Sequence, residues 1–73
     1  MVYKIRQGRF EGRFIIAQYD TDKHQYVSTD IRPECRFQGY CYTHGGSPGA
    51  LAEVGIHTYP TLAAARKVEE EGR

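Results

Sequence analysis

Four side chains of the types that bind zinc lie in the second half of the chain: Cys35, Cys41, His44 and His57. Thiolate and imidazole groups are the ligands that structural zinc sites prefer. Their spacing is C-x5-C-x2-H-x12-H, whereas structural sites pair C-x2–4-C with H-x3–5-H. A zinc-stabilised domain is therefore the third of our interpretations. The alternative is that both cysteines are small buried hydrophobic residues beside Phe37.

A catalytic interpretation would begin at His44, which precedes the glycine-rich segment 45–49 that contains Ser47. The sequence has no G-x-S-x-G or H-E-x-x-H motif, and the segment lacks the Gly-Lys-Ser/Thr ending of a phosphate-binding loop. A catalytic pocket of roughly 300 Å³ or more would also have to fit into the core of a very small chain. We therefore predict that the protein is not an enzyme and needs no cofactor.

Tyrosine and arginine residues form the most informative set, because the chain has 6 Tyr in 73 residues. Residues 35–42 alternate with period two, so an extended strand would turn the two cysteines and Phe37 inward and the polar side chains outward. Tyr and Arg supply most hot spots of binding interfaces. The alternative is that the tyrosines lie at the edge of a core too small to bury them. The predicted binding surface consists of Arg36, Gln38, Tyr40, Tyr42 and His44, with the adjoining loop 43–49.

A second candidate surface is basic and lies near the start of the chain. Arg6, Arg9 and Arg13 surround Gly8 and Gly12 in a stretch with turn character. Guanidinium groups in such a turn could lie along the phosphates of a nucleic acid. The alternative is a solvated hairpin tip, since the formal net charge is only +1.

Alternating, aromatic and β-branched stretches predict the strands, and polar or glycine-rich stretches predict the turns between them. Polar turns are predicted at residues 8–12 and 20–23. The predicted strands cover residues 2–7, 13–19, 26–29, 35–42 and 54–58.

Two helices follow from capping residues. Ser47 and Pro48 are suited to begin a short helix over residues 50–53. Thr61 is suited to cap a longer helix over residues 62–71, with Leu62, Ala65 and Val68 as its apolar stripe and Gly72 as its end. We therefore predict an α+β fold: one domain over residues 1–73, with a small antiparallel sheet of three to five strands and the C-terminal helix packed on one face. The opposite face has no second helix of comparable length, and we look for function there.

The residues Thr58-Tyr59-Pro60-Thr61-Leu62-Ala63-Ala64-Ala65-Arg66 follow short strands and a polar hairpin. Over the last strand and the helix, this layout resembles the arm-type, AP2-like DNA-binding domain of phage integrases, in which residues 33–53 have no counterpart. It is also similar to that of small phage and prophage accessory proteins, including inhibitors of host defence. The resemblance implies either DNA binding or the inhibition of a protein in a mobile-element setting.

The charge balance favours a protein partner, because 10 Lys and Arg face 9 Asp and Glu, whereas nucleic-acid binders are usually strongly basic. Our leading prediction is a non-catalytic protein-binding module, an accessory or inhibitor protein of phage or mobile-element type that uses the Tyr/Arg sheet face. The alternative is a sheet-face DNA- or RNA-binding domain. No stretch is apolar and long enough for a bilayer, and two cysteines make no disulfide framework, so we predict a cytoplasmic protein. An exposed edge strand would allow a homodimer.

Overall fold

A computed structural model of the chain describes residues 1–32 and 44–72. It contains a 4-stranded sheet in the order β1-β2-β3-β4, in which every neighbouring pair is antiparallel. The predicted α+β class is confirmed. The strands are β1 (Val2–Lys4), β2 (Phe14–Asp20), β3 (Gln25–Ser28) and β4 (His44–Gly45), and the helices are α1 (Pro48–Glu53) and α2 (Leu62–Glu71).

Strand β2 lies inside the sheet, and its apolar residues serve both faces. Ile15 and Ala17 point to one face and Ile16 points to the other, because side chains alternate along a strand. All three are buried. The register places Tyr3 opposite Ile15 and Val2 opposite Ile16, so β1 extends both faces.

The two predicted turns are formed. Gly12 has a φ of 89°, a backbone conformation that glycine adopts without steric cost, and its N–H donates to the carbonyl of Ile5 at 2.9 Å. After β2, the carboxylate of Asp20 accepts from the N–H groups of Asp22 at 3.0 Å and Lys23 at 3.3 Å. These bonds close the turn that returns the chain as β3.

The predicted capping residues begin both helices. The hydroxyl of Ser47 accepts from the N–H of Ala50 at 3.1 Å, and Pro48 occupies the first turn of α1. The hydroxyl of Thr61 accepts from the N–H of Ala64 at 3.2 Å at the start of α2. Each bond satisfies a donor that has no partner inside the helix.

The helices pack on opposite faces of the sheet and make two separate cores. Leu51 and Ala52 of α1 join Ile5, Ile15, Ala17 and Ile56 in the first core. Ala65 of α2 joins Ile16 and Tyr59 in the second. The short helix α1 therefore covers part of the face that we expected to find open.

The predicted strand at 54–58 is not formed. Residues 54–55 belong to a turn, and Gly55 has a φ of 107°, which is incompatible with an extended strand. Only Tyr59 pairs with β2, through N–H to carbonyl bonds of 2.7 and 2.9 Å with Phe14. A single bridge replaces the strand.

Helix α2 matches its predicted bounds and differs in detail. Leu62 is 38 % exposed, and Ala64 joins Ala65 and Val68 on the packed side. Gly72 ends the helix with a φ of −85°, so it does not use the left-handed conformation that often favours glycine there. No helix in the described parts of the chain is long and apolar enough to cross a membrane.

Candidate functional site

Three tyrosine rings form a continuous row on the sheet face that carries α1. The ring of Tyr26 contacts the rings of Tyr3 and Tyr19 edge to face, with centroids 5.1 Å apart in both pairs. Tyr19 and Tyr26 are direct cross-strand partners. Tyr3 reaches Tyr26 across β2, where the fully buried Ala17 has only a methyl group to fill the space. The row therefore crosses three strands.

A groove runs from this row along the start of the chain. Its first part has a volume of about 240 Å³, and a second part of about 340 Å³ shares Gln7, Ser47 and Gly49 with the first. One wall follows residues 3–8, and the other is the beginning of α1. We call it the tyrosine groove; its first part is lined by Tyr3, Lys4, Arg6, Gln7, Tyr26, Ser47, Pro48 and Gly49.

Gly49 brings α1 close to the first wall of the groove. A Cβ atom at this position would lie 3.1 Å from the carbonyl oxygen of Gln7 and 3.4 Å from a methyl group of Ile5. The first distance is shorter than most contacts of a Cβ atom, so a larger residue would require a shift of a few tenths of an ångström between α1 and the backbone at Gln7. The width of the groove therefore depends on this glycine.

The charges of the groove are unequal at its two ends. Lys4 and Arg6 border the groove at the end with the tyrosines, although the register turns the side chain of Lys4 toward the face that carries α2. Both residues are exposed, and neither forms an ion pair with another described residue. Glu53 lines the other end. An elongated groove with cations at one end and a carboxylate at the other fits an extended segment with the opposite charge order.

The three predicted basic residues are not brought together. Arg6 lines the tyrosine groove. Arg9 lies with its guanidinium 5.9 Å from the ring centroid of Phe10. Arg13 donates from Nε to the hydroxyl of Thr58 at 2.6 Å and from Nη2 to the carbonyl of Thr58 at 3.2 Å. Arg13 therefore ties the start of β2 to the segment before α2.

His44 faces away from the groove. It pairs with Val27, whose side chain lies on the opposite face from Tyr26, and its Nε2 lies 3.3 Å from Oδ2 of Asp20. Burial acts to raise the pKa of Asp20, but hydrogen bonds from the backbone N–H groups of Lys23 and Asp22 and from His44 outweigh it. They hold the pKa of Asp20 below its usual 3.8.

A buried polar network joins the end of β3 to the bridge at Tyr59. The hydroxyl of Tyr59 donates to Oδ2 of Asp30 at 2.8 Å, and the N–H of Arg32 donates to Oδ1 at 3.0 Å. Asp30 and Tyr59 are 2 % and 3 % exposed. Burial, with the adjacent carboxylate of Asp30, raises the pKa of Tyr59, although Arg32 opposes the rise. The network is fully bonded and stabilises the fold.

The two histidines of the zinc interpretation, His57 and His44, each contact another polar side chain. Nη1 of Arg32 lies 3.1 Å from Nε2 of His57, and a guanidinium can only donate, so this nitrogen accepts a hydrogen bond. His44 lies beside Asp20. Within residues 1–32 and 44–72, no group of three or more metal-ligating side chains converges. Cys35 and Cys41 lie outside the described residues.

The predicted Tyr/Arg surface also lies outside the described residues: Arg36, Gln38, Tyr40 and Tyr42 all belong to the segment 33–43. The tyrosine groove was missed as a unit, although Tyr3, Lys4 and Arg6 stand close together in the sequence. The pairing of Tyr19 with Tyr26 could have been found from the polar turn between them. The proximity of α1 had no sequence signal, because it depends on how the chain returns after β4.

Comparisons with known proteins add no family to this geometry. No protein-family model, no curated protein and no solved structure matches the chain.

Proposed function

We propose that this protein is a non-catalytic protein-binding module and that the tyrosine groove is its binding surface. The observation that carries the proposal is the combination of half-buried tyrosine rings with exposed Lys4 and Arg6 along one groove. Tyr and cationic side chains at a concave surface give a large contact area with little loss of conformational entropy. The rings are already held by one another, so their positions need little further ordering on binding.

The geometry favours a protein over a nucleic acid as the partner. Unstacked bases bind to exposed faces of aromatic rings. Here the rings of Tyr3 and Tyr26 are half-buried against the first core and contact each other edge to face. Glu53 at the far end of the groove would repel phosphates. The formal net charge of +1 supports the same choice.

The proposal includes a role as an accessory or inhibitor protein of phage or mobile-element type in the cytoplasm. The groove is suited to contact a partner surface, because its parts of about 240 and 340 Å³ are open on the outside rather than enclosed around a substrate. The similarity of residues 58–66 to mobile-element proteins motivates the setting. Occlusion of a partner would require no chemistry from this chain.

The test compares two double charge reversals in a pull-down from lysate of the source cells. Lys4→Glu with Arg6→Glu changes the groove, and Arg66→Glu with Lys67→Glu makes the same charge change on exposed residues of α2. We expect the groove variant to lose the captured protein and the α2 variant to retain it, with and without nuclease. All four substituted side chains are exposed, so both variants should unfold close to the wild-type temperature.

Two outcomes would contradict the proposal. Equal capture by both double variants would show that the groove is not the binding surface. A capture that nuclease abolishes would identify the partner as nucleic acid. In that case the affinity for random DNA or RNA should also fall steeply as salt is raised.

A further inference from the structure

We infer that the partner of the tyrosine groove supplies an extended acidic segment, which adds as a further strand to the outer edge of β1, where no described strand pairs. This inference rests on the proposed function and specifies the mode of binding and the chemistry of the partner.

The hydrogen bonds of β1 define which backbone groups it leaves available. The carbonyl of Met1 accepts from the N–H of Ala17, and Ile5 bonds through its N–H to Arg13 and through its carbonyl to Gly12. In an antiparallel ladder, alternate residues point their N–H and C=O groups toward the partner strand. Since residues 1, 3 and 5 point toward β2, Val2 and Lys4 point away from it.

Strand β1 is at the end of the sheet order, so no described strand pairs with these outward groups. An edge of this kind is a template for another strand, and many domains bind peptides by extending a sheet in this way. The strand is short, but the ladder continues beyond it to Met1 and Ile5. An added strand would therefore have room for several residues.

The tyrosine groove runs beside this edge. A strand added to β1 would direct every second side chain toward the face that carries Tyr3 and α1, where the groove lies. Backbone pairing and side-chain contacts would then act together. This is the arrangement in which main-chain bonds give affinity and a pocket for alternate side chains gives specificity.

The positive charge beside the edge of β1 indicates which kind of segment would bind there. Lys4 and Arg6 are exposed beside the edge, so acidic residues of the added segment would find cations there. A second copy of this chain would instead bring its own Lys4 and Arg6 to the same edge and place like charges close together. A basic edge therefore favours an acidic partner over self-association.

The experiment uses the intact protein and a labelled pool of octapeptides that alternate Glu or Asp with Val, Ile or Tyr. A matched pool carries Lys or Arg in place of each acid. We expect the acidic pool to bind about tenfold more tightly or better, and its affinity to fall with salt.

A proline tests the strand pairing. Lys4→Pro removes an outward N–H without removing a bond to β2, and Lys4→Ala removes the charge but keeps the N–H. We expect Lys4→Pro to bind the acidic pool about tenfold more weakly than Lys4→Ala. If Lys4→Pro does not fold, amide hydrogen exchange of the wild-type protein replaces it. The acidic pool should then slow exchange at Val2 and Lys4.

The outcomes separate this inference from the proposed function. Equal binding by the proline and alanine variants, or unchanged exchange at Val2 and Lys4, would overturn strand addition while leaving the groove as a binding surface. If the acidic pool does not bind but the groove still captures a protein from lysate, strand addition is likewise overturned and the groove remains a binding surface. A dimer that Lys4→Pro disrupts would identify a second copy as the occupant and overturn the inference. Loss of groove-dependent capture would remove the proposed function as well.

Discussion

Tyr59 contacts different partners with its ring and its hydroxyl group. The ring is buried with Ile16 and Ala65 in the second core, and the ring of His57 contacts it edge to face at 4.8 Å. The hydroxyl donates to the buried carboxylate of Asp30. One residue therefore completes a core and satisfies a charge that would otherwise be costly to bury.

Tyr59→Phe should test this double role. The ring remains, but Oδ2 of Asp30 loses the hydrogen bond from Tyr59, so we expect the free energy of unfolding to fall by about 1–3 kcal/mol. Urea unfolding at neutral pH measures it. Tyr19→Phe is the matched control, because Tyr19 is 40 % exposed, and it should change stability by less than about 0.5 kcal/mol. Equal effects of the two substitutions would show that the Asp30 bond contributes nothing.

At the scale of elements, the hairpin of β2 and β3 depends on the carboxylate that follows β2. The carboxylate of Asp20 accepts hydrogen bonds from two backbone N–H groups of the turn. It also contacts the imidazole of His44 in β4. One side chain thus joins β2, the turn before β3 and β4 on the face opposite the tyrosine groove. The fold of that sheet end is coupled to the charge of this carboxylate.

The lowered pKa of Asp20 makes that coupling depend on pH. A carboxyl whose pKa is lower in the folded state stabilises the protein above its unfolded pKa, and the contribution is lost as pH falls through the folded pKa. Asp20→Asn keeps the acceptor oxygen of the turn but removes the charge. We expect its melting temperature to lie below that of the wild type at about pH 7, and the gap to close below the usual pKa of 3.8.

The control for this pH series is Asp22→Asn, since the side chain of Asp22 is exposed in the same turn. Its melting temperature should follow that of the wild type at every pH. A gap between wild type and Asp20→Asn that stays constant down to about pH 3 would contradict the assignment, because the charge would then not be its cause.

At the scale of the whole molecule, two small cores share one sheet. The first core contains residues from α1 and β2 together with Ile5 and Ile56, and the second joins α2 to β1 and β2 through Tyr59. Both consist mainly of apolar side chains: Tyr3, Phe10 and Tyr26 lie at the margin of the first core, and Tyr59 is buried inside the second. A chain of this size buries a modest fraction of its surface, so each core is needed for stability.

We expect chelation to leave this fold intact. The described cores are built from apolar contacts, and the two histidines of the zinc interpretation contact Asp20 and Arg32. The melting temperature should therefore be the same with and without EDTA. A fall in melting temperature on chelation, accompanied by release of zinc from the purified protein, would establish the zinc-stabilised domain.

Local chemistry made several elements predictable. Four features depend only on residues close together in the chain, and the structure forms all of them at the predicted positions. They are the caps Ser47 and Thr61, the turn at Asp20 and the β-branched stretch of β2. The predicted strand at 54–58 was wrong because it, too, was inferred only from neighbouring residues. A short apolar stretch with Gly55 inside it is ambiguous until its partner strand is known.

By itself, the sequence determined the bounds of α2, the capping residue of α1, the hairpin and the α+β class, because capping bonds, turn bonds and strand propensity act over a few residues. Only the tertiary structure decided that α1 packs against β2, β3 and β4, that Tyr3 meets Tyr26 across Ala17, and that Arg13 binds Thr58. Those contacts join residues far apart in the chain. They depend on the order of strands in the sheet and on the face that each helix covers, which no local pattern specifies.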